Sequence, residues 1–115
     1  MKNFKKLKVW QTGMEIVMKS YALTKAFPSE EKFGLVSQMN RAAVSIPSNI
    51  SEGSSRESVK EHKYYLQIAL GSSFELETQL LIVEQLKLGG SDLITELKKL
   101  IDEEQKMLMS FIKKL

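Results

Sequence analysis

The sequence predicts an all-α fold, an antiparallel up-down-up-down four-helix bundle. Apolar residues recur at steps of three and four residues along four segments, which is the spacing of amphipathic helices. Short breakers at Pro28, Gly53 and Gly89-Gly90 separate these segments, and none of them alternates apolar and polar residues as a half-buried strand would. A chain of 115 residues fits a single domain over residues 1–115.

The first two predicted helices span residues 9–27 and 35–53. Pro28 stops the first, because proline disfavours helix in the residue before it, and Gly53 supplies the left-handed backbone that commonly ends a helix. The second helix keeps its helical spacing through Leu35, Met39 and Ile50. The first helix carries an apolar stripe at steps of three or four residues, broadened by a second set: Trp10, Met14, Val17, Tyr21 and Thr24, with Val9, Ile16, Leu23 and Phe27.

The third and fourth predicted helices span residues 56–88 and 92–114. Two alternative capping boxes stand at the start of the third, Ser54-Ser-Arg-Glu57 and Ser58-Val-Lys-Glu61, and Gly89-Gly90 ends it. Ser91 caps the fourth helix. The inner face predicted for the third helix is Tyr65, Leu66, Ala69, Ser73, Leu76, Leu80 and Val83, and that of the fourth is Leu93, Leu97, Leu100, Ile101, Leu108, Phe111 and Leu115.

Pro47 stands inside the helical spacing of the second segment. It has no N–H, so the carbonyl of Ala43 loses its helical partner, at a cost of about 3 kcal/mol relative to alanine. We therefore predict a kink at Pro47, where small residues on helices two and three let the backbones approach closely. The alternative is that Pro47 marks the end of one helix and the start of another. The small residues are Ala42, Ala43, Ser45, Ala69, Gly71, Ser72 and Ser73.

Polar residues around this kink predict a structural network formed by Arg41, Asn49, Glu52, Glu75 and Glu77. In this interpretation Arg41 meets a glutamate of helix three, and Asn49 satisfies backbone groups freed by Pro47. Buried charges must be paired and hydrogen-bonded, and such networks can specify geometry. The weaker alternative is an active site, which would need a nucleophile–base pair or a metal constellation.

Basic residues concentrate at the N-terminus. Residues 1–28 carry six lysines against Glu15, whereas the rest of the chain carries eleven basic and thirteen acidic residues. Phe4 and Trp10 are interleaved with the first lysines, as in arms that contact phosphate and stack on bases, although Trp10 also fits the core stripe. The alternative is a solubilising terminus. The candidate nucleic-acid-binding residues are Lys2, Lys5, Lys6 and Lys8.

The sequence gives little support for a catalytic site, a cofactor or a metal site. There is no cysteine, so neither disulfides nor thiolate metal sites can form, and no Glu-x-x-His pair suits a di-metal bundle. His62 is interpreted as a lone exposed histidine, and Asp102, Glu103 and Glu104 as a solvated helix face. We expect a non-enzymatic protein without cofactor or metal. No apolar run reaches the roughly 20 residues of a membrane span, and the expected location is the cytoplasm.

The run SQMNRAAVSIPSNISEG from Ser37 to Gly53 resembles the signature of the 23S ribosomal RNA intervening-sequence proteins, also called four helix bundle proteins. The resemblance extends to residues 8–11 and to YLQIALGSSFELETQ at residues 65–79, while Ser51 stands where relatives usually have alanine. It implies a bundle that assembles into a ring-like homopentamer. It also implies kinship with the accessory variability determinant of diversity-generating retroelements, a basic pentamer that binds nucleic acid and a reverse transcriptase.

Self-association is also indicated by the flanks of helix three, which are more apolar than one seam needs. These flanking residues are Ile68, Leu70, Phe74, Leu81, Ile82, Leu86 and Leu88. The functional prediction is a homo-oligomeric nucleic-acid or ribonucleoprotein accessory factor that binds RNA or DNA without sequence preference, because lysine–phosphate contacts position a ligand but do not specify it. The alternative is a protein–protein scaffold that presents the apolar or acidic surface of the ring to a partner protein.

Overall fold

Four helices make up the computed structural model, which describes residues 3–115. They are α1 (Lys8–Thr24), α2 (Ser37–Ser54), α3 (Val59–Gln85) and α4 (Ser91–Lys114). The described residues contain no strand, so the all-α prediction is confirmed and the arrangement is consistent with a four-helix bundle. A short 3-10 turn (Phe4–Lys6) precedes α1, and a second 3-10 turn followed by a π-helical turn joins α1 to α2: Ser29–Glu31 and Lys32–Val36.

Each helix packs against two others: consecutive helices are neighbours, and α4 closes the bundle against α1. The molecule measures 44 × 24 × 20 Å. One end of the bundle is here called the upper end. There the α3–α4 connection packs against the end of α1, so closely that a Cβ added to Gly89 would lie 2.5 Å from Leu23 Cδ1. The lower end holds the start of α1, the α2–α3 corner and the end of α4, whose Leu115 lies beside Val59.

The start of α3 is fixed by the second of the two capping boxes. The Glu61 backbone N–H donates to Ser58 Oγ at 3.1 Å, which satisfies one of the unpaired donors at a helix N-terminus. The other end of α3 comes at Gln85, three residues before the predicted limit, and Lys87 and Gly89 then take left-handed backbone with φ of 59° and 72°.

Gly53 is part of α2 and does not end it through left-handed backbone, so that prediction is wrong. The glycine is needed for close packing instead. A Cβ at this position would lie 2.9 Å from the Cβ of Tyr65 and 3.1 Å from Cδ2 of His62 on α3. The α2–α3 corner therefore depends on the missing side chain of Gly53.

Pro47 is buried within α2, which continues as one helix from Ser37 to Ser54. It therefore does not separate two helices, while the kink itself stays a prediction. Its ring faces α1, because a Cβ on Gly13 would lie 3.4 Å from Pro47 Cβ. Two of the small residues meet between α2 and α3, where Ser72 Oγ donates to Ser45 Oγ at 2.8 Å. Gly71 is not one of them, since a Cβ there would meet open space.

The core-facing side of α1 agrees with the predicted stripe in part: Val9, Ile16, Leu23 and Thr24 are buried as predicted. Met14 and Tyr21 are 38% and 50% exposed, and Trp10 and Val17 are only half-buried. The buried side of α1 also contains small and polar residues, which an apolar pattern in the sequence does not reveal. One of them is Ser20, whose hydroxyl donates to Asn40 Oδ1 at 3.0 Å. The buried residues of α1 are Val9, Thr12, Gly13, Ile16, Ser20, Leu23 and Thr24.

Candidate functional site

The basic arm at the lower end is a structured turn followed by the first residue of α1. Lys5 and Lys6 belong to the turn, Lys8 begins α1, and all three side chains are exposed. Asn3 Oδ1 accepts from the Lys5 N–H at 3.1 Å, and Gln11 Nε2 donates to the Lys5 carbonyl at 3.0 Å. The first bond caps the turn, and the second holds the arm against α1. The fourth predicted lysine, Lys2, lies outside the described residues.

None of the three described arm lysines forms an ion pair within residues 3–115. Their charges are therefore available to an external anion. The aromatic residues beside them are engaged with each other, since the rings of Phe4 and Trp10 meet edge-on with centroids 5.4 Å apart. Trp10 also packs against the core, which favours packing over stacking on a base.

A second basic feature, here called the lysine-rimmed groove, lies beside the arm between the start of α1 and the last turns of α4. Its floor is apolar, formed by Leu7, Val9, Met107 and Phe111. Its remaining lining residues are polar: Lys8, Lys106, Ser110 and Lys114. Lys106 pairs with Asp102 at 3.0 Å, whereas Lys8 and Lys114 pair with no described acid.

Sequence reasoning missed this groove, because it considered basic residues only at the N-terminus. A signal was present in the spacing. Lys106, Ser110 and Lys114 follow at steps of four residues, with Met107 and Phe111 one position further on, so α4 presents a polar line beside an apolar one. What the sequence could not supply was the neighbour of that line, the start of α1.

The five residues predicted as one polar network do not meet in the structure. Arg41 is exposed and lines a surface pocket with Glu75, yet no ion pair joins them. Glu52 instead bonds Arg56 one turn further along the chain, because Arg41 lies three turns away on the same helix. The remaining glutamates bond glutamines: Glu75 Oε2 accepts from Gln79 Nε2 at 3.4 Å, and Glu77 Oε1 accepts from Gln105 Nε2 at 2.9 Å.

Asn49 does bond the backbone, but not at the carbonyl that Pro47 frees. Its Nδ2 donates to the Ser45 carbonyl at 2.8 Å and to Ser45 Oγ at 2.9 Å. A short amide side chain reaches its own preceding turn more readily than the Ala43 carbonyl two residues earlier. Together with the Ser72 hydroxyl, this forms a small polar link between α2 and α3.

Glu104 corrects the interpretation of the acidic run. Asp102 and Glu103 are exposed, as expected, but Glu104 is fully buried and neither of its carboxylate oxygens has a hydrogen-bond partner among the described residues. Burial without compensation disfavours the charged form and raises the pKa of Glu104 to about 8. The sequence signal is its position three residues after Ile101 and four before Leu108, both buried.

His62 is also buried, with 7% of its surface exposed, so the prediction of an exposed histidine is wrong. It occupies the inner line of α3 one turn before Leu66, and its ring meets that of Phe111 edge-on at 5.4 Å. No group of three or more histidine, aspartate or glutamate side chains within residues 3–115 could hold a metal ion.

No helix in the described part of the chain combines the length and the apolar character needed to span a membrane.

Comparison with known proteins places the chain in a family. A family model described as 23S rRNA-intervening sequence protein matches residues 5–110. A search of the curated proteins finds no match. Among solved structures, the chain is similar to a protein of unknown function from the S23 ribosomal protein family of Bacteroides thetaiotaomicron, with 26% sequence identity and a TM-score of 0.83 over 91% of this chain and 95% of that one. The chain belongs to the 23S rRNA-intervening sequence protein family.

Proposed function

We propose that this protein is a non-enzymatic, homo-oligomeric accessory factor that binds RNA or DNA without sequence preference through its basic arm. The observation that carries the proposal is the exposure of the arm lysines Lys5, Lys6 and Lys8, none of them paired with a described acid. The family name refers to an insertion within ribosomal RNA, which agrees with a nucleic-acid setting. The proposal includes a cytoplasmic location, compatible with a sequence that contains no cysteine.

The geometry of the arm supports contact with phosphates. Lys5 and Lys6 lie on a turn and Lys8 on the first turn of a helix, so their side chains can spread along a backbone of regularly spaced charges. The long lysine stems allow this without a fixed hydrogen-bond geometry. Oligomerisation would repeat the arm on each copy, and several weak contacts would then act together. A ring of five copies is the form that the family resemblance implies.

The test is a binding titration with labelled single-stranded RNA and DNA at several salt concentrations. Affinity should fall steeply with salt, with a log–log slope of about −0.7 for each neutralised phosphate of a single strand. Replacing Lys5, Lys6 and Lys8 by glutamine should weaken binding by at least tenfold and reduce the slope. No binding at about 50 mM salt would contradict the proposal.

A control variant separates local contacts from net charge. It replaces three exposed lysines that lie elsewhere on the bundle and form no ion pair, Lys25, Lys60 and Lys99. Both variants lose three positive charges. If binding depends on the arm, the control should retain most of the affinity, whereas an equal loss in both would show that only the overall charge matters.

The competing proposal is a protein–protein scaffold, and it rests on the exposed apolar side chains. Met18 is 66% exposed, Leu86 58% and Phe33 88%, and exposed apolar side chains mark interaction sites where they lie together in a patch. Affinity capture with and without nuclease distinguishes the two functions. A partner protein that remains bound after nuclease treatment, with no nucleic-acid binding in the titration, would favour the scaffold.

A further inference from the structure

Phe33 is the most exposed large apolar residue in the described part of the chain, at 88%. It lies at the upper end of the bundle, in the π-helical turn Lys32–Val36. Two carboxylates, Glu30 and Glu31, precede it in the adjoining 3-10 turn, and Lys32 Nζ lies 5.5 Å from the ring centroid, so the turn as a whole is acidic by one charge. An aromatic ring gains free energy when it leaves water, so a surface that buries Phe33 and also neutralises both carboxylates would be a favourable partner.

The lysine-rimmed groove offers the complementary properties at the lower end. Its floor is apolar and suits an aromatic ring, while Lys8, Lys106 and Lys114 at its edge suit carboxylates. Another apolar groove, between α1 and α2, contains Trp10 and Met14 but no charged residue in its lining. Of these two apolar grooves, only the lysine-rimmed groove has positive charges that match the carboxylates of the Phe33 turn, and it is therefore the better partner.

A single chain cannot bring these two surfaces together. The groove begins at Leu7, before α1, and the Phe33 turn follows α1. The 17 residues of this helix hold the surfaces about 25 Å apart at 1.5 Å per residue. The occupant of the groove must therefore come from a second molecule.

We propose that Phe33 of one copy docks into the lysine-rimmed groove of a second copy, with Glu30 and Glu31 facing the groove lysines. The inference rests on the homo-oligomer in the proposed function and names the contact that builds it. The contact joins two different surfaces, so each copy keeps a free turn and a free groove for further copies. Such head-to-tail contacts close into a ring or extend into a filament.

Sedimentation velocity without nucleic acid tests the contact. We expect the wild type to sediment as an oligomer, and two variants, Phe33→Ser and the double variant Lys106→Glu/Lys114→Glu, to shift toward the 13.1 kDa monomer. All three positions are exposed, so circular dichroism should show unchanged helicity. The matched control is Tyr64→Ser, which removes a 58% exposed ring from α3 and should leave the oligomer intact.

Mixing the two variants gives a sharper readout. Phe33→Ser retains an intact groove, and Lys106→Glu/Lys114→Glu retains an intact Phe33 turn. One contact remains between them, so an equimolar mixture should form a dimer of twice 13.1 kDa and nothing larger. Absence of this dimer while each variant alone is monomeric would overturn the inference.

Two other outcomes would also overturn it, and they separate its failure from that of the proposed function. An oligomeric wild type whose mass is unchanged by Phe33→Ser would refute this contact and leave the oligomer standing. A wild type that remains monomeric at all concentrations would refute both the contact and the oligomer. Nucleic-acid binding is measured in its own titration, and neither variant alters Lys5, Lys6 or Lys8.

Discussion

The Glu104 carboxyl group on α4 packs directly against Gly13 on α1: a Cβ added to the glycine would lie 3.1 Å from Glu104 Oε2. The same Cβ would lie 3.4 Å from Ile46 Cγ2 and Pro47 Cβ on α2. The carboxyl group thus ends against the backbone of α1, with α2 alongside. None of these three neighbours carries a charge, which is why burial raises the pKa of Glu104.

The first prediction concerns the pH dependence of stability. In the folded chain Glu104 has a pKa of about 8 against an ordinary 4.5, so the folded state holds one more proton than the unfolded state between these values. Stability should therefore fall as pH rises from 4.5 to 8, by up to about 1.4 kcal/mol per pH unit from this group. Glu104→Gln, a neutral isostere, should remove that slope and be more stable than the wild type at pH 8.

Urea unfolding at pH 4.5, 6 and 7.5, at one fixed protein concentration, measures this effect. The control is Glu103→Gln, which changes the exposed neighbour and should keep the wild-type slope. If Glu104→Gln shows the same decrease with pH as the wild type, the buried acid is not the source of the dependence.

The second prediction is a coupling between Gly13 and Glu104. Gly13→Ala gains helix propensity of about 1 kcal/mol, but the new methyl group meets the buried carboxylate. The gain should be cancelled or reversed in the wild-type background and recovered when Glu104→Ala removes the carboxylate. A double-mutant cycle measured by urea unfolding should thus give a coupling energy on the order of 1 kcal/mol. Additive effects would contradict the contact.

How far the sequence predicts this fold depends on which residues line each helix. Leu66, Ala69 and Leu76 on α3 follow the helical spacing and are buried as predicted. On α1 the prediction included buried residues such as Ile16, but also the exposed Met14 and Tyr21. The inner line also contains Gly13 and Ser20, which no apolar pattern reveals. Packing against neighbouring helices decides which side of α1 faces the core, and the sequence of one helix alone does not contain that information.

In the candidate site, too, some features could be predicted from the local sequence and others depend on how the helices pack. The exposure of Lys5, Lys6 and Lys8 could be predicted because lysines before a helix have no reason to be buried. The lysine-rimmed groove could not, since it requires the start of α1 and the end of α4 to meet. Glu104 was missed for a different reason: three acidic residues in a row normally indicate a solvated face, although the spacing from Ile101 and Leu108 places the third on the inner line.

The third prediction contrasts two glycines in the same bundle. Gly53→Ala places a Cβ 2.9 Å from Tyr65 Cβ and 3.2 Å from the His62 carbonyl oxygen, so α2 and α3 must separate at their corner. We expect a destabilisation of about 1–3 kcal/mol, as for other overpacked positions. Gly71→Ala meets nothing within 4 Å inside α3 and should stabilise by about 0.5–1 kcal/mol. Melting temperatures that shift in the same direction would contradict this contrast.

The fourth prediction tests the start of α3. Ser58→Ala removes the hydroxyl that accepts from the Glu61 N–H at 3.1 Å and should destabilise the protein by about 1 kcal/mol. Ser55→Ala is the control, because Ser55 Oγ donates to the Glu52 carbonyl at the end of α2 and caps no helix N-terminus. Hydrogen exchange should then show faster opening of the first turn of α3 in Ser58→Ala alone. Equal protection in both variants would show that the cap does not hold the helix start.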